Sequence, residues 1–410
     1  MYIDSKTSAA GRGSRRGISR TKPWLGWSLA LPCALFLAAL TVLRAQSPDE
    51  TIEIHKPTTH IVPISISGFS GDVESALAFD LESLGMEVTS PDKAEYMVNG
   101  SQDGRVQGSL TPSKVAQPLW ARAYAGGNAR SQAHAFANDI VAEIRQTKPI
   151  FQTRIAFRRK EGSGTEIAVA DFDGYDAAQV TRDGTLVGGP CWIPGRRALL
   201  YTSWKGAGEE ILEQNLGNGE RRVFANNPGA NLSPSVSPDG RKVAMILSRG
   251  GSPNLWVCNI DGSGLKQLTS TREEDSCPTW SPDSREICFV CRSGRAELQK
   301  ISASGGTARV LRVAGVYGNL TSPDWSPDGK WIAFTSGSRN FAICVVPAAG
   351  GDAQKLVAGE DPCWAPNSRT IVFGRQIGEK SILCLLDVPT KHVKDVRQIS
   401  GSCSEPSWAR

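Results

Sequence analysis

Few side chains of this sequence are suited to acid–base or metal chemistry. The 410 residues include only four histidines, which are scattered along the chain: His55, His60, His134 and His392. His134 follows Ala133 at the edge of an apolar stripe with helical spacing, so we expect it to pack rather than to act as a base. The chain has no G-x-S-x-G nucleophile elbow, P-loop, G-x-G-x-x-G or H-E-x-x-H motif. We therefore predict that the protein is not an enzyme and has no catalytic residues.

A second set of candidate ligands is the aspartates of recurring Pro-Asp-Gly or Pro-Asp-Ser turns, such as Asp239, Asp283 and Asp328. A calcium ion takes about six to eight oxygen ligands, and one carboxylate per turn cannot supply them. Proline and glycine both favour tight turns at these positions. We predict that these aspartates form turns, and that the protein binds no metal and no cofactor.

Cysteine is abundant, with ten residues, nine of them after residue 45. Most lie inside apolar runs rather than in loops. Cys288 and Cys291 form a C-x-x-C motif, but residues 287–291 read as a strand, in which positions three apart point to opposite faces. This spacing suits neither a metal clamp nor a local disulfide. We therefore expect free thiols that are buried as small apolar side chains.

The net charge of +5 comes from the N-terminal segment. Residues 1–45 contain seven of the 46 Lys and Arg residues and one of the 41 Asp and Glu residues, which leaves 39 positive and 40 negative groups in the remainder. A nucleic-acid-binding domain carries a basic surface on its folded part. The remainder of this chain has a net charge of −1, so we expect no nucleic-acid partner.

Residues 1–45 have the composition of an export signal. A basic stretch ends at Lys22, and Trp24 to Leu43 is a run of twenty residues without a charge. Such a run forms either the core of a cleaved signal peptide or a single membrane anchor, and the sequence leaves both alternatives open. In either case we expect the residues from 46 onward to lie in the periplasm.

A repeat dominates the second half of the chain. A proline is followed by an aromatic or apolar residue, then by Ser-Pro-Asp-Gly or a related turn, then by an apolar strand. The aromatic or apolar marker occupies positions 192, 236, 280, 325, 364 and 408, in steps of 44, 44, 45, 39 and 44 residues. A period of roughly 40 to 45 residues is the length of one four-stranded propeller blade with its turns.

The ends of the repeat give the number of blades. Residues 155–157, 167–170 and 179–181 read as three strands of a blade that lacks its innermost strand. The segment around the last marker, Pro406 to Trp408, supplies the missing strand and closes the ring. Closure leaves no exposed sheet edge. We therefore predict a six-bladed β-propeller over residues 151–410.

Residues 46–150 do not repeat and predict a small α/β domain. Strands are expected at 61–66, 87–88, 96–98 and 119–125. A helix capped by Asp72 and stopped by Gly85 presents Val73, Leu77 and Leu81 on one face, and a second apolar stripe runs from Ala133 to Ile144. The simplest assembly is a mixed sheet with two helices on one face.

At this point the sequence resembles the TolB family, whose members carry an export signal, a small α/β domain and a six-bladed propeller of WSPDG-type repeats. The junction carries the most specific likeness, in residues 131–140 (SQAHAFANDI) and 151–157 (FQTRIAF). The resemblance covers about residues 60–410. The chain departs from the family pattern at residues 148–150, at Val236 in place of an aromatic residue, at residues 193–195 and in its high cysteine content.

The resemblance implies a periplasmic, monomeric protein that binds a Pal-like lipoprotein, the peptidoglycan-associated lipoprotein, at the propeller mouth. The implied contacts lie in the loops before the innermost strands. Matching those loops gives Asn231, Ser233 and Ser276, and blade symmetry adds Thr321, Asp361 and Glu405. The resemblance does not extend to residues 46–60, the segment that contacts TolA in that family, so it gives no support for a TolA-like partner.

Two other functions stay open for a propeller of this kind. The protein is either an exported carbohydrate- or peptidoglycan-binding propeller or a cell-surface scaffold without a Pal partner. Exposed aromatic side chains at the mouth would favour sugar binding. The repeat tryptophans instead occupy the innermost strands, where we expect them to form the core.

Overall fold

The computed structural model describes residues 59–205, 208–249 and 251–410. Its N-terminal part is a five-stranded mixed sheet in the order β2-β1-β3-β4-β5. β1 pairs in parallel with β2 and β3, and the remaining pairs are antiparallel. The strands are β1 (Val62–Ser67), β2 (Met86–Val88), β3 (Tyr96–Ser101), β4 (Val106–Pro112) and β5 (Trp120–Tyr124). β4 was not predicted, because its glycine-containing sequence lacks an alternating apolar pattern.

Two helices cover this sheet, α1 (Gly71–Ser83) and α2 (Ala129–Arg145). The prediction of Asp72 as the cap of α1 was wrong: the N-cap position is Ser70, and Asp72 lies in the first turn, where a carboxylate is favoured by the helix dipole. α2 begins at a side-chain cap, since the Asn128 carboxamide oxygen accepts a hydrogen bond from the Ser131 amide at 2.8 Å. Phe136 of α2 is fully buried against β4.

Six four-stranded sheets follow the small domain. Five of these sheets are blades two to six, and the strands of each blade are given in order from the innermost to the outermost. They are β9 (Val187–Trp192), β10 (Ala198–Ser203), β11 (Glu210–Asn215) and β12 (Arg221–Ala225); β13 (Asn231–Val236), β14 (Lys242–Leu247), β15 (Asn254–Asn259) and β16 (Lys266–Gln267); β17 (Glu274–Trp280), β18 (Glu286–Ser293), β19 (Arg295–Ser302) and β20 (Arg309–Val310); β22 (Asn319–Trp325), β23 (Trp331–Gly337), β24 (Ala342–Pro347) and β26 (Gln354–Ala358); and β27 (Glu360–Trp364), β28 (Thr370–Ile377), β29 (Lys380–Asp387) and β30 (His392–Asp395). A short parallel pair, β21 (Val313–Ala314) with β25 (Gly351–Asp352), accompanies blade five.

Blade one is assembled from both ends of the propeller sequence. Its order is β31 (Cys403–Trp408), β6 (Arg154–Glu161), β7 (Gly164–Asp171) and β8 (Ala178–Gln179). β31 pairs antiparallel with β6, with Trp408 opposite Ile155. The predicted six-bladed propeller and its closure by the last strand are therefore confirmed.

Four of the five repeat tryptophans belong to the core as predicted, and Trp192 is only partly buried. Trp280, Trp325, Trp364 and Trp408 are buried. Cys288 packs toward blade five and Cys291 toward blade three, so the two thiols of the C-x-x-C motif point to opposite faces of β18. All nine cysteines of the described residues are free thiols.

The small domain packs on blades one and six. It lies at the end of the propeller that carries the hairpins between the first and second strands of each blade. Phe79 of α1 contacts Phe172 of blade one, with ring centroids 5.8 Å apart. At blade six, the Thr147 hydroxyl donates to the carbonyl of Asn367 at 3.5 Å. Among the described residues, neither helix has the length and apolar character needed to cross a membrane.

Candidate functional site

The innermost strand of every blade contains one residue in the left-handed region of φ. These six residues, which we call the bulge ring, have φ values of 58, 50, 48, 48, 54 and 50°: Gly189, Ser233, Cys277, Ser322, Asp361 and Glu405. The strand register shifts at each of them. Each bulge residue lies three positions before its blade's marker residue, so the bulge repeats with the blade.

A proline follows each residue of the bulge ring. Proline has no N–H to donate to a strand ladder, and within sheets it is confined to edges and bulges. The proline-containing repeat therefore specifies a bulge at the same level of every blade. The six bulges together form a rigid collar around the channel, at the end where the innermost strands begin.

The bulge ring lines a cavity of about 430 Å³ at this end of the channel. Thr202, Trp204 and Leu232 contribute to the same wall. Trp204 is 37% exposed, so part of its indole is open to solvent. Because the small domain packs against the opposite end of the propeller, this mouth is not covered by any other described residue of the chain.

Three of the six residues proposed from the sequence, Ser233, Asp361 and Glu405, belong to the bulge ring and line the cavity. Ser276 and Thr321 each lie one residue before a bulge residue, and their side chains are not part of the cavity wall. The sequence interpretation missed Gly189, Cys277 and Ser322. All six bulge residues can be identified from the sequence, because each directly precedes the proline of its repeat.

Asn231, another residue proposed from the sequence, does not line the cavity. It is fully buried, and its carboxamide holds the loop before β13 together. The side-chain oxygen accepts from the Asn227 amide at 2.8 Å, and the nitrogen donates to the carbonyls of Asn227 and Gly229 at 2.8 and 3.0 Å. With its polar atoms engaged in this way, Asn231 shapes the mouth rather than presenting a side chain to it.

One side of the mouth is acidic. Glu405 forms an ion pair with Arg158, with 2.6 Å between Nη1 and Oε1, and burial raises the pKa of Glu405. Asp361 accepts a hydrogen bond from the Ser322 hydroxyl at 2.8 Å and forms no ion pair with any described residue. Burial and the neighbouring Asp361 also raise the pKa of Glu360. The excess negative charge at blade six favours cationic groups on a binding partner.

A second ring of polar side chains lies deeper in the channel and joins neighbouring blades. The Trp325 amide donates to Thr279 Oγ1 at 3.2 Å, and the Trp364 amide donates to Asp324 Oδ2 at 2.6 Å. The Arg410 guanidinium pairs with Asp324 and donates to the Trp364 carbonyl at 3.1 Å. These groups bond to one another across the blades, so their role is to hold the ring together.

Asp80, His134 and Asp173 form the one group of potential metal ligands among the described residues. His134 places Nδ1 2.7 Å from Asp80 and Nε2 3.3 Å from Asp173, so the two carboxylates bind opposite sides of the ring. Arg130 also pairs with Asp173 and lies over the Tyr175 ring. Two cations therefore balance two carboxylates, and this arrangement fits a buried ionic network rather than a metal site.

The protonation of this network follows from its contacts. Burial alone would lower the pKa of His134, but the charge of Asp80 and hydrogen bonds to both carboxylates raise it to about 9. Burial raises the pKa of Asp80 to about 7. Burial opposes ionisation of Asp173 too, yet hydrogen bonds from His134 and Arg130 lower its pKa. The network joins α1 and α2 to the turn after β7, and so fixes the small domain on blade one.

Comparisons with known proteins identify relatives of this chain. The chain is 36% identical over 156 residues to the Tol-Pal system protein TolB of Anaeromyxobacter dehalogenans strain 2CP-C. This alignment covers 38% of the chain and 36% of that relative. It is 35% identical over the same length to the protein of that name from Anaeromyxobacter sp. strain K. The alignment thus spans about a third of the length of these relatives.

A solved structure covers more of the chain. The crystal structure of TolB from Acinetobacter baumannii aligns with 85% of this chain and 97% of its own, with a TM-score of 0.76 and 20% sequence identity. This likeness establishes the fold. The TolB beta propeller domain family matches residues 141–410, more than half of the sequence. The chain therefore belongs to the TolB β-propeller family.

Proposed function

We propose that this protein is a non-enzymatic component of a Tol-Pal-like envelope system. In this proposal it binds a Pal-like lipoprotein at the propeller mouth and supports envelope integrity during cell division. The names of the curated relatives support the assignment to such a system. The uncovered mouth and its bulge ring support the place of binding.

The observation that carries the proposal is the rigidity and openness of the bulge ring. Six backbone bulges hold the residues of the ring at fixed positions around a cavity of about 430 Å³. A rigid set of loops binds a partner with a small loss of conformational entropy. The proposed contact residues are Ser233, Asp361 and Glu405 in the ring, with Ser276 and Thr321 beside it and Asn231 as a support below it.

The proposal also covers location and domain organisation. Residues 1–45, which lie outside the described residues, are proposed to direct export as a signal peptide or to remain as a membrane anchor. Residues 46–150 are proposed as the small domain and residues 151–410 as the propeller, both in the periplasm. The protein is proposed to act as a monomer, and residues 46–60 give no basis for a TolA-like partner.

A carbohydrate-binding function is the second candidate, and one observation favours it. Trp204 lines the mouth and is 37% exposed. A partly exposed aromatic ring in an open cavity is suited to packing against the apolar face of a sugar. A Trp204→Ala variant that loses retention on a peptidoglycan column, while still binding a Pal-like protein, would support this second function.

The proposal is tested by affinity capture from an envelope extract of the source organism, followed by mass spectrometry. We expect the protein to retain a Pal-like lipoprotein. Ser233→Arg should abolish capture, because it places a long cation in the mouth. Thr307→Arg, an exposed position in the turn before β20, is the matched control and should capture normally. Capture of glycan fragments without a Pal-like protein would contradict the proposal.

A further inference from the structure

The rim of the mouth carries exposed apolar side chains. Eleven large apolar residues are exposed in the described part of the chain, and five of them lie at this end of the propeller: Leu186, Trp204, Tyr317, Phe341 and Ile377. Exposed apolar patches with polar surroundings are typical of contact surfaces for other proteins. Four of the five form two groups, the blade-two patch (Leu186 and Trp204) and the blade-five patch (Tyr317 and Phe341).

The blade-two patch is held together by the backbone. Leu186 lies directly before β9 and Trp204 directly after β10. The Trp204 amide donates a hydrogen bond to the Leu186 carbonyl at 2.9 Å, so the two residues are adjacent. Because Trp204 also lines the cavity, this patch continues from the rim into the cavity wall.

The blade-five patch is built where two segments meet at the start of β22. Tyr317, which is 86% exposed, precedes this strand, and its carbonyl accepts a hydrogen bond from the Ser336 hydroxyl at 3.1 Å. Phe341 lies in the hairpin between β23 and β24. A Cβ atom at Gly318 would lie 2.9 Å from the carbonyl carbon of Gly337, so glycine allows these segments to pack backbone against backbone.

The two patches lie on opposite sides of the mouth. The innermost strands contact one another in the order of the blades, and β31 of blade one contacts β27 of blade six, so blades two and five are three blades apart. Leu186, Tyr317 and Phe341 do not line the cavity. A ligand that only fills the cavity therefore cannot contact both patches, whereas a protein interface of ordinary size covers about 800 Å² on each partner.

The cavity between the patches is negatively charged. Its lining contains three carboxylates, of Asp324, Asp361 and Glu405, and no Lys or Arg other than as their partners from outside the lining. Arg410 pairs with Asp324 and Arg158 pairs with Glu405, but Asp361 forms no ion pair with any described residue. Charge complementarity across an interface therefore favours a partner with a cationic group opposite Asp361.

We propose that the mouth holds a folded protein domain that contacts the blade-two and blade-five patches at the same time and directs a cationic side chain at Asp361. This inference rests on the function proposed above, and its occupant is the soluble domain of the Pal-like lipoprotein. Tyrosine and tryptophan are frequent among the few residues that dominate the energy of such interfaces. Contact on both sides of the ring also fixes the orientation of the partner.

The test is isothermal titration calorimetry of the purified protein with the soluble domain of the source organism's Pal-like lipoprotein. Leu186→Ala, in the blade-two patch, and Tyr317→Ala, in the blade-five patch, should each weaken binding at least about fivefold. The two residues lie far apart, so the double variant should show the product of the two effects. Both side chains are exposed, and the variants should unfold at the temperature of the unmodified protein.

The matched controls truncate exposed valines on the outermost strands. Val223→Ala in β12 of blade two and Val310→Ala in β20 of blade four should bind the partner as the unmodified protein does. If the unmodified protein binds but either patch variant binds equally well, the two-sided contact is wrong while the proposed function stands. If the unmodified protein does not bind, both are wrong. Binding of a soluble muropeptide that is weakened by both patch variants would assign the rim to a glycan and also overturn the inference.

Discussion

The carboxylate of Glu405 accepts a hydrogen bond from the backbone amide of Gly189, with 2.7 Å between the nitrogen and Oε2, although 216 residues separate the two. Glu405 lies in β31 of blade one, and Gly189 lies in β9 of blade two. The last strand therefore bonds to β6 within its own blade and to the bulge of the next blade. Closure of the ring and construction of the mouth depend on the same strand.

This relationship predicts that side chains of β31 contribute strongly to stability. Trp408→Ala should lower the free energy of unfolding by about 3 to 5 kcal/mol, the usual cost of truncating a buried aromatic side chain. Urea unfolding monitored by circular dichroism measures this loss of stability. Trp192→Ala is the matched control, because Trp192 occupies the same repeat position but is only half-buried. Equal losses for the two variants would contradict the role given to β31.

The buried network of Asp80, His134, Asp173 and Arg130 predicts a dependence of stability on pH. The pKa of His134 is raised to about 9 in the folded state, against about 6.5 in an unfolded chain. The stabilisation from protonated His134 is present below about pH 6.5 and is lost as the pH rises through about 9. Urea unfolding at a series of pH values across this window measures the loss.

The control for this prediction is His134→Gln, which removes the titrating group from the network. The variant should be less stable at neutral pH, and its free energy of unfolding should change less between neutral and alkaline pH. Other histidines contribute equally to both proteins, so the difference isolates His134. Parallel curves for the two proteins would show that His134 does not hold its proton in the folded state.

The free cysteines predict a specific pattern of thiol labelling. Iodoacetamide added without reductant to unfolded protein should modify all nine cysteines after residue 45. In the folded protein at neutral pH, Cys288 and Cys291 should be protected, because burial raises the pKa of both thiols to about 12 and the thiolate is the reactive form. Peptide mapping by mass spectrometry measures the labelling of each cysteine in the unfolded and in the folded protein. Recovery of a disulfide-linked peptide pair would contradict this assignment.

The bulge ring predicts which substitutions the innermost strands accept. Ser233→Val should cost about 1 to 2 kcal/mol, because a β-branched side chain is strained at a φ of 50°. Ser235→Val, two residues further along β13 and outside the left-handed region, is the control and should cost less. Thermal unfolding of the two variants compares them. Equal losses would show that the bulge at residue 233 is not a source of strain.

The propeller was predictable because its signals are local and repeated. The spacing of the marker residues gave six blades, and the incomplete first blade required the strand that ends at Trp408. The mouth residues were only partly predictable. Ser276 and Thr321 lie one residue before a bulge residue and outside the cavity lining, because a bulge changes the alternation of side chains that a regular strand would show.

Contacts between distant segments were not predictable from the sequence. Asp80 and Asp173 lie on either side of His134 in the structure but in different domains along the chain, and no periodic pattern links them. The same holds for Asn231, whose side-chain nitrogen donates to the carbonyl of Glu209, 22 residues earlier, at 3.1 Å. Such positions are fixed by tertiary packing, which a single sequence does not record.

The most direct test of the proposed function is calorimetric titration of the purified protein with the soluble domain of the source organism's Pal-like lipoprotein. The account predicts saturable binding of one partner per chain. Asp361→Lys should weaken it at least about tenfold, or about 1.4 kcal/mol, whereas Asp283→Lys at the opposite end of the propeller should not change it. Absence of binding, or equal weakening by the two variants, would contradict the assignment of the mouth as the Pal-binding site.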